Sequence, residues 1–138
     1  GSFGAMTANP DADTLTRQIK DITDGRGADA VLEAVGSPAA LDLALQTARA
    51  GAVVSIAGYH TESIYELPIQ LAYTKNLTVR IGRCNARKYI PLLLPLVEQR
   101  KIPLTEILTH VLPLSEGVRG YEMFDRRLDS AIKVILKP

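Results

Sequence analysis

The sequence predicts an α/β fold built on a parallel sheet. Three observations carry this. Short apolar runs suited to strands alternate with segments whose apolar residues recur at helical spacing. The runs Ala28–Val35 and Ala52–Ala57 are apolar almost throughout, as in strands covered on both faces. Glycines stand where the runs stop, at Gly36, Gly58 and Gly82.

The elements follow in order. A short strand is expected near Ala5–Ala8, stopped by Asn9-Pro10. The first helix should run from about Asp13 to Thr23, with Leu15, Ile19 and Ile22 on one face. Asp11, Asp13 and Thr14 can cap its start, and Asp24-Gly25-Arg26-Gly27 can end it. Ala28–Val35 is the next strand. Ser37 then caps a second helix and Pro38 fits its first position, where no N–H is needed. Leu41, Ala44, Leu45 and Ala48 form its buried stripe, and Gly51 should end it. Ala52–Ala57 is a third strand.

Tyr59–Lys75 is less regular, and Leu77–Ile81 is a fourth strand. Asn85 caps a third helix to about Arg100, with Ile90, Leu93, Leu94 and Val97 on its apolar face. Pro91 and Pro95 each remove a backbone donor from that helix, so a bend is expected. Ile107–Leu112 should be extended, Ser115 should cap a last helix to about Phe124, and Ala131–Leu136 is a final strand.

Composition bounds the function. The 138 residues are enough for a real core, and a net charge of +1 gives no case for nucleic acid or a membrane surface. The longest apolar runs fall far short of the roughly 20 residues a membrane span needs. The single cysteine, Cys84, excludes an intrachain disulfide and fits a reducing, cytoplasmic setting. No Cys-x-x-Cys or His-x-x-x-His spacing exists, so no metal site can be read. Gly1-Ser2 reads as a tag remnant.

Five phrases then point to a family. Thr23–Gly36 (TDGRGADAVLEAVG), 51–58 (GAVVSIAG) and 76–82 (NLTVRIG) resemble the fourth, fifth and sixth Rossmann strands of zinc-dependent medium-chain alcohol dehydrogenases. The stretches 107–114 (ILTHVLPL) and 133–138 (KVILKP) resemble the tail that returns to their catalytic domain. Singly each is weak, but five in order over nearly the whole chain are specific. Arg80–Cys84 and Tyr121–Asp125 suggest the threonine- and formaldehyde-dehydrogenase-like subgroup.

The resemblance implies a partial Rossmann doubly wound parallel sheet, strands 3 to 6 of the family's order, with a C-terminal tail of helices and a strand. Residues 3–84 would be the second half of the cofactor domain. Residues 85–138 would pack on a catalytic domain that the sequence does not contain. The family's Gly-x-Gly-x-x-Gly turn is absent, as is the residue that selects NAD or NADP. Its Cys/His/Glu zinc ligands are absent too, so zinc would belong to the parent enzyme alone. A trimmed segment, a proteolytic fragment and a truncated gene would all read this way.

The implied activity is hydride transfer between an alcohol and NAD(P), with zinc as Lewis acid. This chain would supply part of the cofactor site and be inactive alone. The alternatives are a non-enzymatic α/β assembly module and a zinc-less quinone-reductase-like relative. Ligands of such sheets sit beyond the C-terminal strand ends. The resemblance therefore assigns Ala34, Val35 and Gly36 to the adenosine ribose, and Ala57, Gly58, Tyr59, Ile81 and Gly82 to the nicotinamide. Glycine would let backbone approach a flat ring; alternatively these glycines simply end strands. Lys133 matches a basic position reaching the pyrophosphate, or it is a solvated charge.

His110, between apolar neighbours, reads as a hydrogen-bonded structural residue, and His60 has no partner spacing. Cys84 has Arg83 and Arg87 nearby, which could activate its thiol, but a plain thiol is the simpler reading. The basic run Arg80, Arg83, Arg87, Lys88 lacks stacking aromatics beyond Tyr89 and reads as a solvated face. The loss of the family's strand 1 would leave the Ala30–Val35 strand with an open edge. Pairing with Ala5–Ala8 or a second chain is expected to cover it, in a homo-oligomer.

Overall fold

A computed structural model of the chain describes residues 4–8, 11–101 and 104–138. The chain divides into two units, Gly1–Cys84 and Asn85–Pro138.

The first unit runs α1 (Ala12–Ile22), β1 (Ala28–Glu33), α2 (Pro38–Thr47), β2 (Ala48–Ile56), α3 (Ile69–Thr74) and β3 (Thr78–Ile81). Local chemistry sets the helix starts. Asp11 Oδ2 accepts from Thr14 N at 3.0 Å, and Ser37 Oγ accepts from Ala40 N at 3.3 Å with Pro38 in the first turn. The strands form one parallel sheet in the order β1-β2-β3. Leu41, Ala44 and Leu45 of α2 pack with Ala48, Ala52, Val54 and Ile56 of β2 to make the core. Leu45 and Val54 are fully buried, each contributing about 1.5–3 kcal/mol.

Several expectations are corrected. Residues 4–8 form no strand, while Asn9 and Pro10 lie outside the described residues. Ala5–Ala8 therefore does not pair with β1, whose ladder partner among the described residues is β2. Gly51 does not end α2. The helix stops at Thr47 and β2 begins at once, carrying Gly51 inside the strand at φ 74°. The register slips between Ala28 and Ala30, so β2's early start is absorbed by a bulge. β1 ends at Glu33, short of the expected Val35, because the chain turns there to meet the β2 exit. Tyr59–Lys75 holds the short helix α3. Among the described residues β1 is not covered on both faces: Leu32, on the opposite face from Val31 and Glu33, is 77% exposed.

The second unit runs α4 (Ala86–Glu98), β4 (His110–Pro113), α5 (Gly117–Asp125) and β5 (Val134–Lys137). Asn85 caps α4 by accepting from Lys88 N, and the helix continues through Pro91 and Pro95. Its apolar residues Ile90, Leu93, Leu94 and Val97 stay exposed. The segment expected to be extended from Ile107 is instead a 3-10 turn over Leu104–Ile107 and then β4. Ser115 does not cap the last helix. It sits in a 3-10 turn, Leu114–Glu116, that runs into α5. The final strand is shorter than Ala131–Leu136 because Leu128–Ser130 is a further tight turn. β4 and β5 pair in parallel, and α5 lies close on them at Gly120, where a Cβ would touch Val134, Leu112 and Leu136.

Candidate functional site

The three strands of the first unit end side by side. Glu33, Ile56 and Ile81 are in register across the sheet. The residues proposed from the sequence follow that row: Ala34, Val35 and Gly36 after β1, Ala57, Gly58 and Tyr59 after β2, and Ile81 with Gly82 at the end of β3. Val35, Tyr59 and Ile81 are each more than three-quarters exposed. Together they make an apolar ledge at the carboxyl end of the sheet, where parallel α/β sheets bind ligands.

One residue organises the ledge. Glu33 ends β1 and is 3% exposed. Its carbonyl accepts from Ala57 N at 2.7 Å and Gly58 N at 2.9 Å. Its carboxylate Oε1 accepts from Val35 N and Gly36 N, both at 2.7 Å. His60 Nε2 lies 3.1 Å from Oε2, and because a carboxylate only accepts, that nitrogen carries the proton. Burial pushes the Glu33 carboxyl up. The amides of Gly36 and Val35 and the His60 ring outweigh it, so the group is held below the usual carboxylate range.

Packing between the strand exits gives two of these glycines a requirement of their own. A Cβ on Gly36, which sits at φ 82°, would fall 2.3 Å from Tyr59 O. A Cβ on Gly58 would fall 2.3 Å from Gly36 N and 2.7 Å from Glu33 Oε2. The β1 and β2 exits are pressed against each other, and the space a side chain would need is filled by the protein's own backbone. Gly82 differs, with nothing within 4 Å of a Cβ.

Lys133 belongs to the second unit, just before β5. Its carbonyl accepts from Thr109 N and His110 N, and its side chain is exposed. His110 Nδ1 lies 2.9 Å from Thr109 Oγ1, as suits a structural histidine. Cys84 is a free, exposed thiol. Arg80, Arg83, Arg87 and Lys88 are exposed, with the Lys88 ammonium 5.3 Å from the Tyr89 ring centre.

Sequence reasoning missed the Glu33–His60 pair. The signal for half of it was present, since a lone acid inside an apolar strand needs buried partners. His60 lies 27 residues away, and no spacing rule links the two. Lys75 was missed as well. Its ammonium reaches Leu45 O, Gln46 O and Ala48 O at 3.0, 2.7 and 2.8 Å, closing the C-terminus of α2.

The ledge fits a flat, largely apolar ring. It offers the exposed apolar side chains of Val35, Tyr59 and Ile81. A nicotinamide cofactor has such rings. Among the described residues no group of three or more His, Cys, Asp or Glu side chains is placed to hold a metal. Among the same residues no helix is long and apolar enough to cross a membrane.

Comparison with known proteins places this arrangement. The alcohol dehydrogenase of Thermus sp. ATN1 superimposes with a TM-score of 0.91 at 39% identity, covering 99% of this chain and 39% of that one. The zinc-type alcohol dehydrogenase B of Aspergillus flavus is 36% identical over 90% of this chain and 29% of its own length. A zinc-type alcohol dehydrogenase-like protein of Bacillus subtilis is 32% identical over 93% of this chain and 39% of its own length. The chain thus spans about two fifths or less of these relatives. The zinc-binding dehydrogenase family model matches residues 2–99. The partial parallel sheet, the ledge at its carboxyl end and these matches lead to one conclusion: the chain belongs to the zinc-binding dehydrogenase family.

Proposed function

We propose that this chain forms part of the cofactor cradle of an oxidoreductase that transfers hydride between an alcohol and NAD or NADP. The observation that supports the reading is the ledge of Val35, Tyr59 and Ile81 over the interlocked exits of β1 and β2, in a chain of this family. The nicotinamide supplies the hydride chemistry when bound. The chain's own residues supply a surface: Ala34, Val35 and Gly36 line the place of the adenosine ribose, and Ala57, Gly58, Tyr59, Ile81 and Gly82 that of the nicotinamide, with the side chains of Tyr59 and Ile81 excluding water there. Lys133 is assigned to the cofactor's phosphates by charge. Zinc belongs to residues outside this chain.

The 138-residue chain by itself should show no alcohol dehydrogenase turnover with NAD or NADP, with or without zinc, in steady-state assays. NAD should bind more weakly than roughly micromolar by calorimetry, because no glycine-rich phosphate turn at a helix N-terminus is present to supply donors. Zinc-dependent turnover, or micromolar affinity, would overturn this division of labour.

A second reading, assembly, has its own observation. β1 has a neighbour on one side only among the described residues. Beside its other edge runs a groove of about 430 Å³ lined by Val31, Leu32, Val35, Ala40 and Leu43. An open apolar edge is a template for further strand pairing. The expected result is a homodimer or larger assembly in light scattering, with β1 amides protected from exchange. A monomer whose β1 amides exchange freely would count against it.

A further inference from the structure

We propose that the cleft between α1, α2 and α3, at the opposite end of the sheet from the ledge, is a ligand site that binds a phosphate dianion. The proposal is independent of the cofactor reading, because it uses none of the ledge residues.

The cleft has a volume of about 550 Å³. It is lined by Asp13, Thr16, Arg17 and Lys20 of α1, by Gln46 of α2, and by Lys75 at the end of α3. Asp13 and Arg17 stand four residues apart on α1, as do Thr16 and Lys20, so each pair is adjacent on the helix surface. Three cations, Arg17, Lys20 and Lys75, line the cleft against one carboxylate, Asp13, which leaves two positive charges in excess. Asp11, at the head of α1, also feels the Arg17 charge. Among the described residues neither Arg17 nor Lys20 forms an ion pair.

Lys75 is the fixed member. Its ammonium donates to Leu45 O, Gln46 O and Ala48 O at 3.0, 2.7 and 2.8 Å. All three of its hydrogens are therefore used, and it offers a ligand charge rather than a donor. The same bonds pair the carbonyls at the end of α2, so these do not meet an anion bare. Arg17 and Lys20 are exposed. With the Thr16 hydroxyl and the Gln46 amide they can supply the hydrogen bonds that a tetrahedral oxyanion accepts. Burial, and then the Lys20 charge, hold the Lys75 ammonium below the usual lysine range. Lys20 is thus close enough to repel Lys75, and an anion seated between them relieves that repulsion. A carboxylate would leave one of the two excess charges unmet, whereas a phosphate dianion meets both. Bound there, it would tie α1, which buries none of its residues fully, to α2 and α3.

The test follows amide NMR shifts of the full 138-residue chain against sodium phosphate slightly above neutral pH. Sodium chloride and sodium acetate at matched ionic strength are the comparisons. Phosphate is expected to move the Thr16, Arg17, Lys20 and Gln46 signals saturably, with a midpoint of roughly 1 mM. Chloride and acetate should move them about fivefold less. The double variant Arg17→Gln, Lys20→Gln keeps good helix formers at two exposed positions. It should weaken phosphate binding about tenfold. Asp13→Asn should act in the opposite direction and tighten binding about threefold. Shifts that chloride reproduces at matched ionic strength overturn the proposal. So does a double variant that binds phosphate like the parent, or a phosphate response elsewhere on the chain with these four signals unmoved. If the double variant does not fold, Asp13→Asn still decides: tighter binding supports the site, and unchanged or weaker binding overturns it.

Discussion

Gly58→Ala is expected to destabilise the first unit by about 3 kcal/mol, the larger of two single-residue effects the structure implies. The new methyl would meet Gly36 N at 2.3 Å, Gly36 Cα at 2.7 Å and Glu33 Oε2 at 2.7 Å. Two of the three obstacles are backbone and cannot swing aside. Relief would require the β1 and β2 exits to separate, and separation breaks the bonds from Ala57 N and Gly58 N to Glu33 O. Denaturant unfolding of the variant measures the loss. Gly82→Ala is the internal control. It too ends a strand, but its Cβ would meet nothing within 4 Å, so its change should stay within about 0.5 kcal/mol. Equal effects at the two glycines would mean that the exits are not interlocked.

The second large effect lies at the other end of the sheet. Lys75→Met should cost about 2 kcal/mol and lower the thermal midpoint by roughly 10 °C. α2 has no basic residue in its last turn, and the chain leaves it directly into β2. Thr47 Oγ1 serves Leu43 O and Ala44 O, and Ala48 N also serves Ala44 O, which leaves Leu45 O and Gln46 O past the end of the helix's own donors. The Lys75 ammonium supplies one donor each to Leu45 O, Gln46 O and Ala48 O, at the negative end of the helix dipole. Methionine keeps the apolar stem and removes the donors. Arginine should restore only part of the loss, since a planar fork cannot converge on three carbonyls as an ammonium does. A Lys75→Met midpoint within the scatter of the parent would show that water caps the helix equally well.

Much of the architecture was legible in the residues themselves. Apolar runs marked β1 and β2, Ser37-Pro38 marked the start of α2, and Asn85 marked the start of α4, because strand burial and helix capping are written within a few positions. The order of phrases from Thr23 to Pro138 was enough to indicate the family, which the matching family model bears out. Element ends were less legible. Gly51 looks like a helix terminator, yet it sits inside β2, because packing of Ala48 against the core overrides the local signal.

What lay beyond the sequence was everything that joins distant positions. Residues 5–8 form no strand even though β1 has a neighbour on one side only among the described residues. Whether a strand is covered on both faces is decided by what else the chain brings to it, and Leu32 remains open. The roles of Gly36 and Gly58 turn on two loops packed so closely that a Cβ on either would fall 2.3 Å from the other's backbone, and those of His60 and Lys75 on partners some 27 to 30 residues away. Local chemistry fixes what a residue can form with its neighbours along the chain. Only the folded sheet, by setting strand exits side by side, decides that one buried glutamate collects four backbone donors.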